Sequence, residues 1–355
     1  MNTAITSNPL DLENLQQSLV KATTLTVVTI DTHTAGEPTR IAVSGIPKLP
    51  AGSVMERKEY LRQHGDWFRR LLMLEPRGHG DMFGAILVPP QHPEAEHGII
   101  FMDTGGYLNM CCHGSIGVAT ALVKYGLVNR QEPHTDITLE TPSGLVQARV
   151  DLKKGKVGSV TITNVPSFLF QRDAAVTLPG VGLVRFDIAF GGSFFAIVQA
   201  AELKIKLHPQ EISKIIPLGI RLREAINRDY QVSHPTLPIQ GVDLVEIHDY
   251  PNSPDANARN LVVFAASSFD RSPCGTGTSA RLAQLFARGE IAIDQPYVNE
   301  NLLGLSFTGK VLSTTRVGDF PAIIPQITGS AFITGVHTFG VDAADPLGEG
   351  FLLGH

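Results

Sequence analysis

CCHGSIGVATALVKYGLV, starting at residue 111, and CGTGTSARLAQLFARGEI, starting at residue 274, align without a gap. Cys111 matches Cys274, Gly114 matches Gly277, Ser115 matches Thr278, Gly126 matches Gly289 and Val128 matches Ile291. Each segment reads as a small-residue turn, a helix rich in Ala and Leu, a Gly stop and then an apolar strand. Internal repetition implies two related halves, and the second cysteine lies about one domain's length beyond the first. The pattern places one cysteine in each half, facing a cleft between them.

Outward from these segments, apolar and β-branched runs bounded by Gly, Pro or charge recur along the chain. TLTVVTI, GAILVPP, GIIFMD, DITLETP, LVQARVDL, SVTITNV, FDIAF, FFAIVQA, DLVEI, NLVVFAA and AIIPQI read as strands. Helical spacing appears over 55–75, after Cys111, over 209–230 and after Cys274. Strands and helices interleave, which predicts an α/β or α+β chain. The first 24 residues are polar and mixed in charge, with a short helix expected in DLENLQQSLVK.

The totals narrow the function. A chain of 355 residues, 43% hydrophobic and 18% charged, suits a globular protein of two domains at roughly 150 residues each. A net charge of −5 without a Lys/Arg block lacks the electrostatic footprint of a nucleic-acid binder, so a small-molecule substrate is expected instead. Neither a signal-peptide core nor an apolar run long enough to span a bilayer is visible, which predicts a soluble, cytoplasmic protein without a membrane partner.

Cys111, Cys112 and Cys274 are the three cysteines of the chain, too few for a disulfide framework and badly spaced for structural zinc. Count alone favours space-filling, since free cysteine is among the most buried residue types. Their position argues otherwise. A helix N-terminus presents free backbone N–H groups and the positive end of the dipole, so a thiol there is expected below its free pKa of about 8.5. The same amides receive a carboxylate. Two such ends face to face suit inversion of a carbon next to a carboxylate, which needs a base on one face and an acid on the other.

At these residues the sequence resembles the proline racemase family, which includes hydroxyproline 2-epimerases and 3-hydroxyproline dehydratases. The resemblance runs from about residue 25 to the end. It covers DTHTAGEPTR (31–40), LEPRGHGDMFGA (74–85), IIFMDTGGYLNMCCHGSIG (99–117), VPSFLFQRD (165–173), DIAFGGSFFAIV (187–198) and DRSPCGTGTSA (270–280). It implies a diaminopimelate epimerase-like fold: two pseudo-symmetric α/β domains, each a curved sheet around a central helix, often as a homodimer. It also implies no cofactor, whether pyridoxal phosphate, metal or nucleotide. The expected division is a polar extension 1–24, a first domain 25–175 completed by 336–355, and a second domain 176–335.

By the same resemblance Cys111 and Cys274 alternate as general base and general acid. The amides of Cys112, His113, Gly275 and Thr276 hold the carboxylate, Asp270 and His113 lie near the substrate amine, and Phe83, Leu108 and Phe264 line the ring pocket. Core packing is the competing role for the three apolar residues. Glu37, Glu75 and Arg77 are left outside the site, because paired charges near turns more often brace structure.

Cys274 disfavours the dehydratase members, which carry Thr at this position. Proline and 4-hydroxyproline remain as substrates. Epimerase members tend to carry His where this chain has Leu244, and EPRGS where it has EPRGH at 75–79. Both differences point to an apolar ring pocket and to proline. The family usually has Gly at the position of Cys112, whose thiol can crowd the carboxylate or compete for oxidation. Rival readings are a diaminopimelate epimerase, against which His113 speaks, and a metal or redox-sensing site built on Cys111, Cys112 and His113.

Overall fold

The computed structural model of the protein describes residues 12–265 and 268–353. Behind a leading helix, α1 (Leu12–Ala22), come β1 (Leu25–Thr34), β2 (Glu37–Ser44), α2 (Val54–His64), α3 (Asp66–Met73), β3 (Phe83–Val88), β4 (His97–Asp103), β5 (Tyr107–Leu108), α4 (Cys112–Tyr125), β6 (His134–Thr141), β7 (Gly144–Lys153) and β8 (Lys156–Thr163). The order then repeats. There follow β9 (Ser167–Leu178), β10 (Gly182–Phe190), β11 (Phe194–Gln199), α5 (Ile212–Asp229), β12 (Leu244–Asp249), β13 (Ala258–Phe264), β14 (Ser268–Asp270), α6 (Gly275–Ala287), β15 (Tyr297–Glu300), β16 (Ser306–Val317) and β17 (Phe320–Gly329), with β18 (Ala331–Val341) last.

Strand pairing repeats with the order. β2 and β3 run parallel, with α2 and α3 in the crossover, as do β11 and β12 with α5 between them. β4 and β6 run parallel across α4, and β13 and β15 across α6. β18 returns from the chain end to pair antiparallel with β1, Leu25 opposite Val341, in the place that β9 takes beside β10. β17 pairs with β8 and with β9 and so joins the two curved sheets.

Each sheet wraps one helix. α4 packs against β1, β2, β7, β8 and β18, and α6 against β9, β10, β11, β16 and β17. Residues Cys112 to Val123 of α4 are all buried, as are Gly275 to Ala280 of α6. Surface helices carry an apolar stripe and a wet face; helices whose first turns are mostly small residues with no wet face fit inside a closed layer. Gly117 is bare because a Cβ there would come 2.6 Å from Thr32 Oγ1. A smaller second core lies outside the first sheet, where Leu61, Phe68, Leu71 and Leu72 of α2 and α3 cover β3 and β4.

Three expectations change. The helix over 55–75 is two helices, broken at Gly65, whose N–H closes onto Leu61 O at 2.8 Å. The apolar strands expected directly after the two Gly stops do not form. Gly126 and Gly289 adopt φ of +67° and +74°, and the following N–H groups of Leu127 and Glu290 bond back to Leu122 O and Leu285 O at 2.9 and 2.8 Å. These residues close a helix, in the Schellman manner, rather than open a strand. Finally, β2, β5, β9, β14, β15, β16 and β18 form where no strand was expected. Residues 1–10 of the polar extension and the first residue of DLENLQQSLVK lie outside the described residues; the rest of that stretch is in α1.

Candidate active site

The two cysteines occupy equivalent helix ends. Cys111 caps α4 and its Sγ accepts from Gly114 N at 3.2 Å; Cys274 caps α6 and its Sγ accepts from Gly277 N at 3.4 Å. The backbone amides of the next two residues at each end, Cys112 and His113 or Gly275 and Thr276, are among those an α-helix leaves without an intrahelical acceptor. The equivalence stops at the backbone. Cys111 is extended, with φ −149°, whereas Cys274 has φ +52°, a conformation that costs a non-glycine residue about 1–3 kcal/mol. Buried bonds hold it there: Cys274 N donates to Ser272 Oγ at 3.1 Å, and the amides of Asn260 and Asn299 donate to Pro273 O at 2.9 and 3.2 Å.

The helix ends meet head on. A Cβ on Gly275 would lie 2.3 Å from Cys112 Cβ, so Gly275 is the bare surface on which Cys112 rests. Cys112 Sγ would itself lie 3.2 Å from that added Cβ, so the whole Cys112 side chain packs against Gly275. Among the described residues no three His, Cys, Asp or Glu side chains group as metal ligands. The Cys112 side chain has its place in the seam between α4 and α6.

Polar groups gather around Cys111. His113 Nδ1 is 3.1 Å from Cys111 Sγ and 3.7 Å from Asp270 Oδ2, while Asp270 Oδ1 accepts from Ser272 N at 2.7 Å. Burial opposes the charge on Asp270, but His113 and Ser272 outweigh it and hold the carboxyl below its usual range. Phe83 packs edge-on against the His113 ring, centroids 4.4 Å apart. Glu37, which sequence reasoning left outside, reaches this cluster: its Oε2 accepts from Arg271 N at 2.6 Å, and burial together with the Asp270 charge pushes its carboxyl well up. Glu75 and Arg77 stay away; Arg77 donates to Gly348 O at 3.2 Å and Glu75 bridges Phe351.

The thiols themselves contradict the expected lowering. Burial pushes Cys111 and Cys274 well above the ordinary thiol value, and the Asp270 charge adds to this at both. The helix-end amides pull the other way, but half a charge is less than the loss of water around a sulfur anion. Each sulfur therefore needs its neighbours to become a base.

A cavity of about 310 Å³ adjoins the site, lined among others by Leu108, Ser193, Leu244 and Phe264, with Arg223 and Asp243 farther out. Leu108 and Phe264 are on its wall; Phe83 is not, being beneath His113. Neither cysteine lines it.

The proline racemase family profile matches residues 29–352 of the chain. The chain belongs to the proline racemase family. It is an isomerase of the racemase and epimerase kind. The proline racemase of Clostridioides difficile is 50% identical over 325 residues, which cover 91% of this chain and 97% of that protein. The 4-hydroxyproline 2-epimerase of Streptosporangium roseum is 44% identical over 325 residues, 91% of this chain and 97% of that one. A crystal structure of a hydroxyproline epimerase from Agrobacterium vitis with bound trans-4-hydroxy-L-proline superposes with a TM-score of 0.89 at 36% identity, covering 93% of this chain and 96% of that chain. The diaminopimelate epimerase-like fold of proline racemases thus accounts for the repeated order of strands and helices. Gly275 is the residue that makes room for Cys112 at the helix seam.

Proposed function

We propose that the protein is a cofactor-independent proline racemase. The observation that carries this is the pair of cysteines capping two abutting helices, each bound to the third amide of its own helix. The substrate carboxylate sits against the amides of Cys112, His113, Gly275 and Thr276, with the amine toward Asp270 and His113. One sulfur takes the α-proton while the other returns a proton to the opposite face. The helix-end amides stabilise the carboxylate as it gains enolate character. The two halves, one sheet around α4 and one around α6, contribute one sulfur each. Since the cavity stops short of the sulfurs, substrate enters by parting the edge between Leu108 and Phe264. A homodimer follows from the family resemblance alone, and a cytoplasmic location from the sequence reading alone.

The test is incubation of the purified protein with L-proline in deuterated water. Loss of optical rotation with α-deuterium uptake and no added cofactor is expected; inversion of trans-4-hydroxyproline without inversion of proline would replace this reading with the epimerase one. Leu244 on the cavity wall is the reason to prefer proline, because a pocket accepts a ring hydroxyl well only where a buried polar partner meets it. Leu244→His is expected to raise the ratio of kcat/KM for 4-hydroxyproline over proline by at least about tenfold, measured by polarimetry on both substrates.

A further inference from the structure

The two-thiol reading creates a demand of its own. After one inversion the proton taken from the substrate is on one sulfur, and the other sulfur has lost its proton. The protein now matches the product enantiomer. Before it accepts the same substrate again, one sulfur must release a proton and the other must gain one, although both are buried.

Cys111 has a titratable neighbour for this exchange in His113, whose Nδ1 is 3.1 Å from Sγ. On Cys274 the direct contacts are the Gly277 amide and the Thr276 hydroxyl, at 3.4 and 3.7 Å, neither of which trades protons near neutral pH. Two carboxyls of the second half act on Cys274, Asp270 and, after it, Glu246 on β12; Asp270 is already engaged by His113 and by Ser272 N, which leaves Glu246. A Cβ on Gly277 would lie 2.7 Å from Glu246 Oε2 and 3.2 Å from Cys274 Sγ, so carboxyl and sulfur converge over the same bare Cα.

Glu246 is 1% exposed, and among the described residues its Oε2 has no hydrogen-bond partner. Its other oxygen accepts from Asn260 Nδ2 at 3.2 Å, and that amide also donates to Pro273 O at 2.9 Å, next to Cys274 in the chain. The unpartnered oxygen is thereby aimed and held. A buried polar atom left unsatisfied costs about 1–3 kcal/mol, so its retention calls for a role.

The strand continues the path. Leu244, Glu246 and His248 share one face of β12, since alternate residues do. Leu244 lines the ring cavity, Glu246 lies by Cys274, and His248 lines a second cavity of about 290 Å³ with Arg281 and Tyr297 on the far side. The Arg281 charge acts on Glu246, His248 and Tyr297 alike, which ties these groups into one neighbourhood.

We propose that Glu246 carries protons between Cys274 and solvent in the far cavity, resetting the protein between its two thiol–thiolate states; this rests on the proline racemase reading above. In the unloading direction the S–H bond of Cys274 breaks, its proton binds Glu246 Oε2, and the carboxylic acid then yields that proton to water by His248. Loading is the reverse. No oxidant, reductant or co-reactant is required. Burial, partly offset by Arg281, pushes the Glu246 carboxyl up to about 7, so both of its forms are accessible at neutral pH. Glu246 does not touch the substrate and is a positioning and exchange residue.

The experiment compares Glu246→Gln with the unmodified protein, in both directions, on whichever of proline and 4-hydroxyproline the latter inverts. Gln keeps the shape and the Asn260 bond but carries no exchangeable acid. At low substrate the two protonation states equilibrate between encounters, so kcat/KM does not contain the reset; at saturation kcat does. The expected result is a kcat lowered at least about tenfold in both directions, with kcat/KM within about threefold of the original. Glu246→Asp, a shorter carboxyl, is expected in between and decides the matter if the Gln variant does not fold. Parallel loss of kcat and kcat/KM assigns Glu246 a structural role and overturns the proposal, as does no change in either. If the unmodified protein inverts neither substrate, the functional reading itself falls, and this proposal with it.

Discussion

Serine at Cys111 or at Cys274 is expected to leave a folded protein whose inversion of proline is lowered about 10⁴-fold or more, the upper range for loss of a general acid or base. A hydroxyl is a far weaker acid than a thiol, and burial, which already pushes both sulfurs well up, would push an alkoxide out of reach. One remaining sulfur reaches one face of the α-carbon, so either substitution alone removes inversion. The fold tolerates the change because serine is itself a favoured N-cap, able to keep the bond from Gly114 N or Gly277 N. Polarimetry beside thermal denaturation checks this. More than a tenth of the original activity in either variant would sink the two-thiol mechanism.

Gly275→Ala is expected to cut activity by about 10²-fold, the scale of a misplacement near 1 Å at a reacting centre, and to lower stability by roughly 1–3 kcal/mol through overpacking. The added methyl would lie 2.3 Å from Cys112 Cβ, so α4 and α6 must move apart, and with them the two sulfurs. The remedy is specific. Cys112→Gly alone is expected to keep activity within a few fold, and the double variant Cys112→Gly with Gly275→Ala is expected to recover most of what Gly275→Ala loses, since the next neighbour of the new methyl is Ile327 Cγ2 at 3.4 Å. Racemisation rates and melting temperatures of the three variants form a double-mutant cycle. A double variant as poor as Gly275→Ala would show that the seam is not where the damage arises, and a dead Cys112→Gly protein would shift the catalytic assignment away from Cys111.

How much of this was legible beforehand follows the range of the forces. Strands such as TLTVVTI and DITLETP are apolar enough to identify themselves. β16 buries alternate residues only in its first half and β18 buries only Ala331; both carry Thr, His, Lys or Gly among their apolar positions and form by pairing with β17 and β1. The 55–75 helix misled because Gly65 is a weak stop in sequence and a decisive one in space, where its N–H closes α2. Glu37 was passed over because nothing local to DTHTAGEPTR shows that Arg271, on the other half of the chain, will come to it.

By itself, the sequence determined the two helices that begin at Cys111 and Cys274, their Gly ends and their equivalence, because caps and left-handed stops are made within four residues of chain. The tertiary structure alone decided the rest. It raised the thiols that a helix end should have lowered, because desolvation is a property of everything packed around a sulfur and not of its neighbours in sequence. It also set Cys112 against Gly275 and brought Glu37 and Glu246 to the cysteines, contacts between residues far apart in the chain that exist only once the two sheets have closed around their helices.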